Sequence, residues 1–255
     1  MLKNYVKRHR LTSYGGINWG TLTGFEQVVT NDLVTYYAID HENSRIVTFD
    51  QYWVYQGYQS LPYPLPFSTK YVDGCFYFSS TDYFYKTKAN FDVAKYYQNL
   101  GAFYRHFAHD SSNLKFYVAP SAANRIDVFD TSCLLLQSIK LDDKPYAVAF
   151  NNGNLFVGYV VKNEILVVKN GFITKNLTIL HCQCYTCVRQ INSIKIDLFG
   201  YLVVTCHDSK ITSIYDSNGI YMNAQISTEN RPFLVEMDTR GRVVIAQAKS
   251  LDILY

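Results

Sequence analysis

The chain carries few of the signatures that would give it chemistry of its own. Its 255 residues contain no G-x-S-x-G, no H-E-x-x-H and no G-x-x-x-x-G-K-[ST], so nucleophile-elbow hydrolases, zincins and P-loop nucleotide binders are not indicated. Charge of one sign is also scarce: 24 Lys and Arg against 21 Asp and Glu leave a net +3. That surplus is too mild to predict nucleic-acid binding from electrostatics alone. The basic start, residues 1–10, is not followed by an apolar run of seven or more, so neither a secretory signal nor a membrane helix is expected and the chain reads as cytoplasmic. In that setting the six cysteines, at 75, 133, 182, 184, 187 and 206, are expected to stay reduced. Asn176-Leu-Thr matches a glycosylation acceptor, a motif short enough to arise by chance.

Helix formers are not prominent either; aromatic residues are. A hydrophobic share of 48% can supply a sizeable core, and 23 Tyr with 16 Phe suit strands, where flat rings pack across a pleated surface. These strands recur. Tyr36–Asp40, Phe76–Ser80, Phe116–Pro120, Leu155–Tyr159, Leu202–Cys206 and Val243–Gln247 are equivalent segments about 42 residues apart. A period of 40 to 45 residues carrying several strands per copy is the mark of a radial array of β-sheets.

Six copies fill the chain, which predicts an all-β, six-bladed β-propeller of four-stranded antiparallel blades forming one domain over 1–255. The blades fall at about 25–60, 66–100, 104–140, 145–180, 190–227 and 231–255. The fourth shows the pattern most openly: Tyr146–Phe150, the turn Asn151-Asn-Gly-Asn, Leu155–Tyr159, Glu164–Val168 and an outer strand over Gly171–Ile179. The turn residues tolerate positive φ, so a tight hairpin follows. A second landmark is Pro followed by an aromatic at the entry to the first strand, Pro66-Phe67, Pro145-Tyr146 and Pro232-Phe233, where a proline need not donate a ladder hydrogen bond. The sixth copy ends without an outer strand. The N-terminal segment is therefore expected to close the ring, with residues 14–22 as that strand and residues 1–12 as a basic tail. On this placement, deleting residues 1–24 should unfold the protein and deleting the first ten should do little.

The segments Asp40-His-Glu-Asn-Ser-Arg-Ile-Val-Thr-Phe-Asp50, Ala119-Pro-Ser-Ala-Ala-Asn-Arg-Ile-Asp-Val-Phe-Asp130 and Asp208-Ser-Lys-Ile-Thr-Ser-Ile-Tyr-Asp-Ser-Asn-Gly219 resemble the NHL repeat, whose loop and third strand run roughly D-x-x-N-x-R-I-x-V-F-D-x-x-G. Blades one, three and five carry it best; blades two and four keep the register and lose most of the loop residues. The resemblance implies a propeller that presents one face of loops to proteins or to RNA, often as the terminal module of a ubiquitin-ligase-like protein. No RING, B-box or coiled-coil segment precedes the repeats here, so such activity is not expected of this chain.

Two loop sets, between second and third strands and between blades, should emerge on one face. There the reading places His41, Arg45, Tyr83, Arg105, Lys144, Tyr159, Lys162, Arg189, His207 and Arg231, with few acids among them. Such a basic and aromatic surface suits an acidic peptide or a phosphate backbone. Arg45 and Arg125 are read as serving the blade itself, and Trp19 and Trp53 as packing. The partner-binding set is thus His41, Tyr83, Arg105, Lys144, Tyr159, Lys162, Arg189, His207 and Arg231, the partner a protein or peptide and, in the alternative, single-stranded RNA. No membrane partner and no cofactor are expected, and the isolated domain is expected to be monomeric and not an enzyme. A metal-dependent lactonase-like or lyase-like propeller would draw on His41, Glu42, Asp82, Asn163, His207 and Asp208, which are not a matched carboxylate set for a hard metal. Cys182, Cys184 and Cys187 with His181, or with Cys206 and His207, form a candidate zinc cluster, but a single C-x-C-x-x-C lacks the second knuckle.

Overall fold

Each blade forms because apolar strands alternate with turns that admit positive φ, and the ring forms because every blade has two apolar faces to bury. The computed structural model describes residues 8–11, 20–30, 33–159, 162–179, 191–238, 240–247 and 250–254. Among them the regular elements are all strands, 24 in number, and they make six sheets of four. The first strand of the chain, β1 (Arg8–Leu11), stands apart from the regular order. Blade one holds β2 (Leu22–Thr30), β3 (Leu33–Asp40), β4 (Arg45–Phe49) and β5 (Tyr55–Ser60); blade two holds β6 (Ser68–Val72), β7 (Cys75–Ser79), β8 (Tyr83–Thr87) and β9 (Val93–Gln98). Blade three runs through β10 (Tyr104–Asp110), β11 (Lys115–Pro120), β12 (Arg125–Asp130) and β13 (Leu135–Lys140), and blade four through β14 (Pro145–Asn151), β15 (Asn154–Tyr159), β16 (Glu164–Lys169) and β17 (Phe172–Thr178). Blade five comprises β18 (Ile191–Ile196), β19 (Leu202–Cys206), β20 (Ile211–Tyr215) and β21 (Tyr221–Ser227); blade six has β22 (Pro232–Met237), β23 (Val243–Gln247) and β24 (Ser250–Leu254). Every pairing is antiparallel, and the six segments read as equivalent are the second strands β3, β7, β11, β15, β19 and β23.

The hairpin turns use the expected chemistry. Asn152 and Gly153 have φ of 48° and 76°, and Asp73 and Gly74 have 49° and 77°, the pair of positive values a two-residue turn requires. Longer turns repeat another device: one carboxylate oxygen of Asp50, Asp130, Asp197, Asp216 and Asp238 accepts the backbone N–H groups two and four residues on, at 2.8–3.0 Å. Those donors would otherwise go unpaired at the tip. The aspartates of Phe49-Asp50, Phe129-Asp130 and Tyr215-Asp216, at the ends of third strands, and Asp197 and Asp238, after first strands, are therefore turn formers.

The apolar interior is divided among the six seams between neighbouring blades. Blades two and three meet through Tyr77, Phe84, Tyr104, Phe116 and Phe129, whereas blades four and five meet through Phe156, Ile165, Ile191, Ile194 and Val204. At that second seam the sheets come so close that a Cβ at Gly158 would lie 2.7 Å from Ile191 Cγ2, so only glycine fits. Because each blade shares a seam with two neighbours, blades one and six do not bury both faces until the ring is complete.

Ring closure occurs as anticipated in kind and differs in residues. The outer strand of blade six is β1, paired antiparallel with β24 in the register Arg8–Leu254 to Leu11–Leu251. The closing strand therefore lies within the stretch read as a basic tail. Of the span 14–22 assigned to it, residues 14–19 fall outside the described residues and Leu22 already opens β2. Leu11 explains the placement, since it is buried with Leu251, Ile253, Leu22 and Phe25 in the seam between blades six and one. Arg10 adds specificity: its guanidinium contacts the buried Asp252 carboxylate at 2.7 and 3.2 Å and also pairs with Glu229. The bond to Asp252 raises the Arg10 pKa. Replacing Arg10 by Ala leaves the buried Asp252 carboxylate without this cation, with Gln247 still donating to it, and is expected to cost about 1–3 kcal/mol, read as a fall in Tm. Deleting residues 1–11 should lower Tm further or cause aggregation; an unchanged melt would contradict closure by β1.

Candidate functional site

The described inner strands β2, β6, β10, β14, β18 and β22 surround the propeller axis, and five of them break register close to their first residue. The ladder skips between Leu22 and Gly24, Tyr104 and Phe107, Pro145 and Ala147, Ile191 and Ser193, and Pro232 and Leu234. A bulge re-aims the skipped side chain. Here those residues are Thr23, Arg105 with His106, Tyr146, Asn192 and Phe233, and blade two supplies Phe67 just before β6. Together with Thr21, His41 and Glu42 they line a cavity of about 240 Å³ at one mouth of the axial channel.

The loops around this mouth are held by a repeated bond between the two loop sets. Leu61, Asn99, Leu141, Ile179 and Thr228 donate their backbone N–H to the carbonyls of Ser44, Asp82, Asn124, Asn163 and Lys210. In blade one the D-x-x-N-x-R loop folds on its own aspartate, for Asp40 accepts from Asn43 at 2.9 Å, Arg45 at 2.7 Å and the Gly20 N–H at 2.9 Å. Arg45 and Arg125 do serve their blades, the latter through Asp127 at 2.7 Å. Trp53 is buried and stacked on Tyr36 at 4.1 Å; Trp19 lies outside the described residues.

Among the described residues that line the cavity, Arg105 is the permanent cation. Its guanidinium lies 3.9 Å over the Phe67 ring and 5.6 Å from that of Tyr146, a sandwich that holds the group with little rotamer freedom. His41 packs on Phe67 at 4.4 Å, and its Nδ1 is 2.9 Å from the Pro66 carbonyl. A carbonyl only accepts, so Nδ1 carries the proton and Nε2 is the acceptor of the neutral ring. Burial lowers the His41 pKa, opposed by the Pro66 bond and reinforced by Arg105. Glu42 accepts from the Thr21 hydroxyl at 2.6 Å, and Asn192 donates both amide hydrogens to the carbonyls of Pro232 and Phe233, at 3.1 and 2.7 Å.

Below the mouth, His106 also lines a second axial cavity of about 230 Å³. That chamber is charged: Glu26 pairs with Lys70 at 3.0 Å, Glu236 pairs with Lys195, and His109 and Phe150 are part of the wall. Burial and the neighbouring Glu236 push the Glu26 carboxyl upward against the pull of Lys70.

The structure brings only part of the expected binding set to the mouth. His41 and Arg105 line the cavity. His207 stands behind it, edge-on to Phe233 at 5.2 Å, with Nδ1 2.6 Å from Asp208; Arg231 approaches the same carboxylate at 3.6 Å. Lys144 is exposed in the loop before Tyr146. Tyr83 lies on the outer flank of blade two, stacked on Tyr63 at 4.1 Å, and Tyr159 is interior, its hydroxyl donating to Asp142. Lys162 is engaged by Asp142 at 3.0 Å and Asp143 at 3.7 Å. The face therefore holds more acids than anticipated, Glu42, Asp142, Asp143 and Asp208 among them. Arg189, His181, Cys182, Cys184 and Cys187 lie outside the described residues. Residues absent from the expected set are Phe67, Tyr146, Phe233 and Asn192; the first three are the aromatics of the Pro-aromatic landmark, visible in the sequence as markers of register.

Solved structures share this architecture. A streptogramin B lyase superposes with a TM-score of 0.71 at 14% identity over 98% of this chain and 98% of that one. The likeness is one of fold. A virginiamycin B lyase from Staphylococcus aureus gives 0.68 at 12% identity over 97% and 98% of the two chains, and the WD40 propeller domain of Doa1 gives 0.65 at 13% over 90% and 77%. No family profile matches the sequence, and no curated protein does.

Two features of this region yield tests. Burial, reinforced by Arg105, pushes the His106 pKa from 6.5 down to about 4. The folded state is thus fully favoured above pH 6.5 and loses up to about 3 kcal/mol as the pH falls towards 4. His106→Gln should flatten the decline of Tm across that window; an unaltered profile would contradict a buried neutral imidazole. Cys206 is disulfide-bonded, contrary to the expectation that all the cysteines are reduced, while Cys75 and Cys133 are free. Reduction should therefore lower the melting temperature, by the equivalent of about 2–4 kcal/mol; coincident melts with and without dithiothreitol would argue against the bond.

Proposed function

We propose that the chain is a non-catalytic recognition propeller of NHL type, binding a protein or peptide partner on its loop-rich face around the axial mouth. The observation that carries this reading is the ring of Thr23, Phe67, Arg105, Tyr146, Asn192 and Phe233. Bulges in five blades, and the residue before β6 in blade two, bring together six side chains of mixed aromatic, cationic and amide chemistry. Aromatics and arginine in a partly desolvated depression are the residues that dominate protein interfaces. A rigid scaffold with divergent residues at one level is the arrangement that binding sites favour.

RNA is the less supported partner. Lys162 and Arg231 are accompanied by Asp142, Asp143 and Asp208, which weakens a phosphate-tracking surface. The enzymatic reading draws on His41 and its Nε2 acceptor. It has less behind it, since among the described residues no three His, Cys, Asp or Glu side chains converge as a metal-ligand set, and likeness to lyases at this identity speaks only for fold. Cytoplasmic residence fits poorly with the disulfide at Cys206, because such bonds persist in oxidising compartments; no described helix is long and apolar enough to cross a membrane.

Selection of a displayed random peptide library on the purified protein should enrich sequences whose binding falls at least about tenfold in Arg105→Glu or Phe233→Ala. Retained binding in both variants would move the site elsewhere. A salt-sensitive shift of single-stranded RNA, abolished by changing Arg105, Lys144 and Arg231 together, would replace this reading with the RNA one.

A further inference from the structure

Asn176-Leu-Thr178 is the one N-x-[ST] triplet of the chain. A triplet this short arises by chance, and two structural observations set it apart. Cys206 is disulfide-bonded, and such bonds form and persist in oxidising compartments; the endoplasmic reticulum, the oxidising compartment of eukaryotic secretion, is where oligosaccharides are joined to asparagine. The second observation is the place of the triplet in blade four, on β17, the strand farthest in the sheet order from the inner strand β14. Successive side chains of a strand turn to opposite faces. Leu177 is buried with Ile165, Ile191 and Ile194 in the seam between blades four and five, so Asn176 and Thr178 turn the other way, and both are exposed. The amide and the hydroxyl of the acceptor triplet thus share the open side of an edge strand. Asn176 Nδ2 donates to Glu164 Oε2 at 3.0 Å, at the surface. A glycosylated asparagine keeps one amide hydrogen, so this bond persists beside a sugar and orients the linkage.

We infer that Asn176 is a glycosylation site, modified by transfer of an oligosaccharide from a polyprenyl pyrophosphate carrier. In that transfer the bond from Asn176 Nδ2 to the first sugar's C1 forms and the bond from C1 to the pyrophosphate oxygen breaks. The amide gives up one proton, and the polyprenyl pyrophosphate leaves with the electron pair. The same strand shows what the glycan does for the folded protein. β17 exposes Phe172 at 75% and Ile173 at 50%, and an open edge that carries apolar side chains invites pairing with another chain unless it is covered. A hydrated, branched oligosaccharide on Asn176 covers it. β17 contributes no residue to the mouth cavity, so the site goes beyond the peptide-binding reading and does not depend on it.

The test is secretion of the full chain from cultured mammalian cells behind a cleavable signal peptide. The secreted monomer should carry a single oligosaccharide, seen in its intact mass and removed by peptide N-glycosidase. The increment should vanish in Asn176→Gln and in Thr178→Ala and return in Thr178→Ser, which restores the hydroxyl. Where a variant is not secreted, the wild-type protein still decides. Glycosidase treatment in heavy-oxygen water labels the asparagine that bore the sugar, and the label should map to the tryptic peptide that contains Asn176. Secreted, disulfide-bonded monomer without the oligosaccharide would overturn the assignment. So would an oligosaccharide confined to aggregated protein, one that survives Asn176→Gln, or a label on any other peptide.

Discussion

Closure of the ring is the constraint on which everything else in this protein depends. Each blade has two apolar faces, and the six buried clusters all lie between blades. An open ring would expose one face of blade one and one of blade six together with an unpaired strand edge. Four residues prevent this. β1 supplies the missing strand, Leu11 enters the last seam, and Arg10 meets Asp252. The contact joins residues 242 positions apart in sequence, so it is made late and at considerable loop-closure cost, and the axial channel exists only once it is made.

The mouth follows from the same geometry. Six inner strands converge on the axis, and a bulge near the start of five of them turns one residue, or two in blade three, out of the ladder. Repetition therefore provides a frame of equivalent positions, and divergence at those positions provides the chemistry. Arg105 illustrates how the two combine: its backbone carbonyl accepts from Ser79 of the neighbouring blade at 2.6 Å, and its side chain rests between aromatics of the blades on either side. A group fixed from three blades is positioned more tightly than one on a free loop. Beneath it the channel passes His106 into a chamber of paired lysines and glutamates, where charge is accommodated by pairing.

Much of the fold could be read from the residues in order, because its causes are local. Alternating apolar strands, turn residues such as Asn152-Gly153 and the aspartates Asp50, Asp130 and Asp216 that end three of the third strands act within a few positions of themselves. Even the need for a borrowed strand was visible, since the sixth copy ends early. Its residues were not, because a four-residue strand has too short a pattern to distinguish Arg8–Leu11 from a basic tail; burial of Leu11 against Leu251 and Ile253 decides it. The site was legible in the same uneven way. His41 and Arg105 stood out as polar residues in loops or at strand entries. Phe67, Tyr146 and Phe233 were equally visible and were read as marks of register, because nothing local shows that a strand's first residues turn towards an axis. Tyr159 shows the converse error: a polar ring at a strand end, buried in the apolar seam with Leu141 and Leu166 while its hydroxyl donates to Asp142.

The sequence by itself determined the strands, their turns, their number and the repeat that makes a ring of them, since each of these is dictated by periodicity and backbone preference over a few residues. Only the tertiary structure decided which four residues close the ring, which skipped side chains meet at the mouth, and that Asn192 gives both amide hydrogens to carbonyls of the next blade. Those outcomes depend on distances between residues far apart in the chain, and such distances are set when the blades pack.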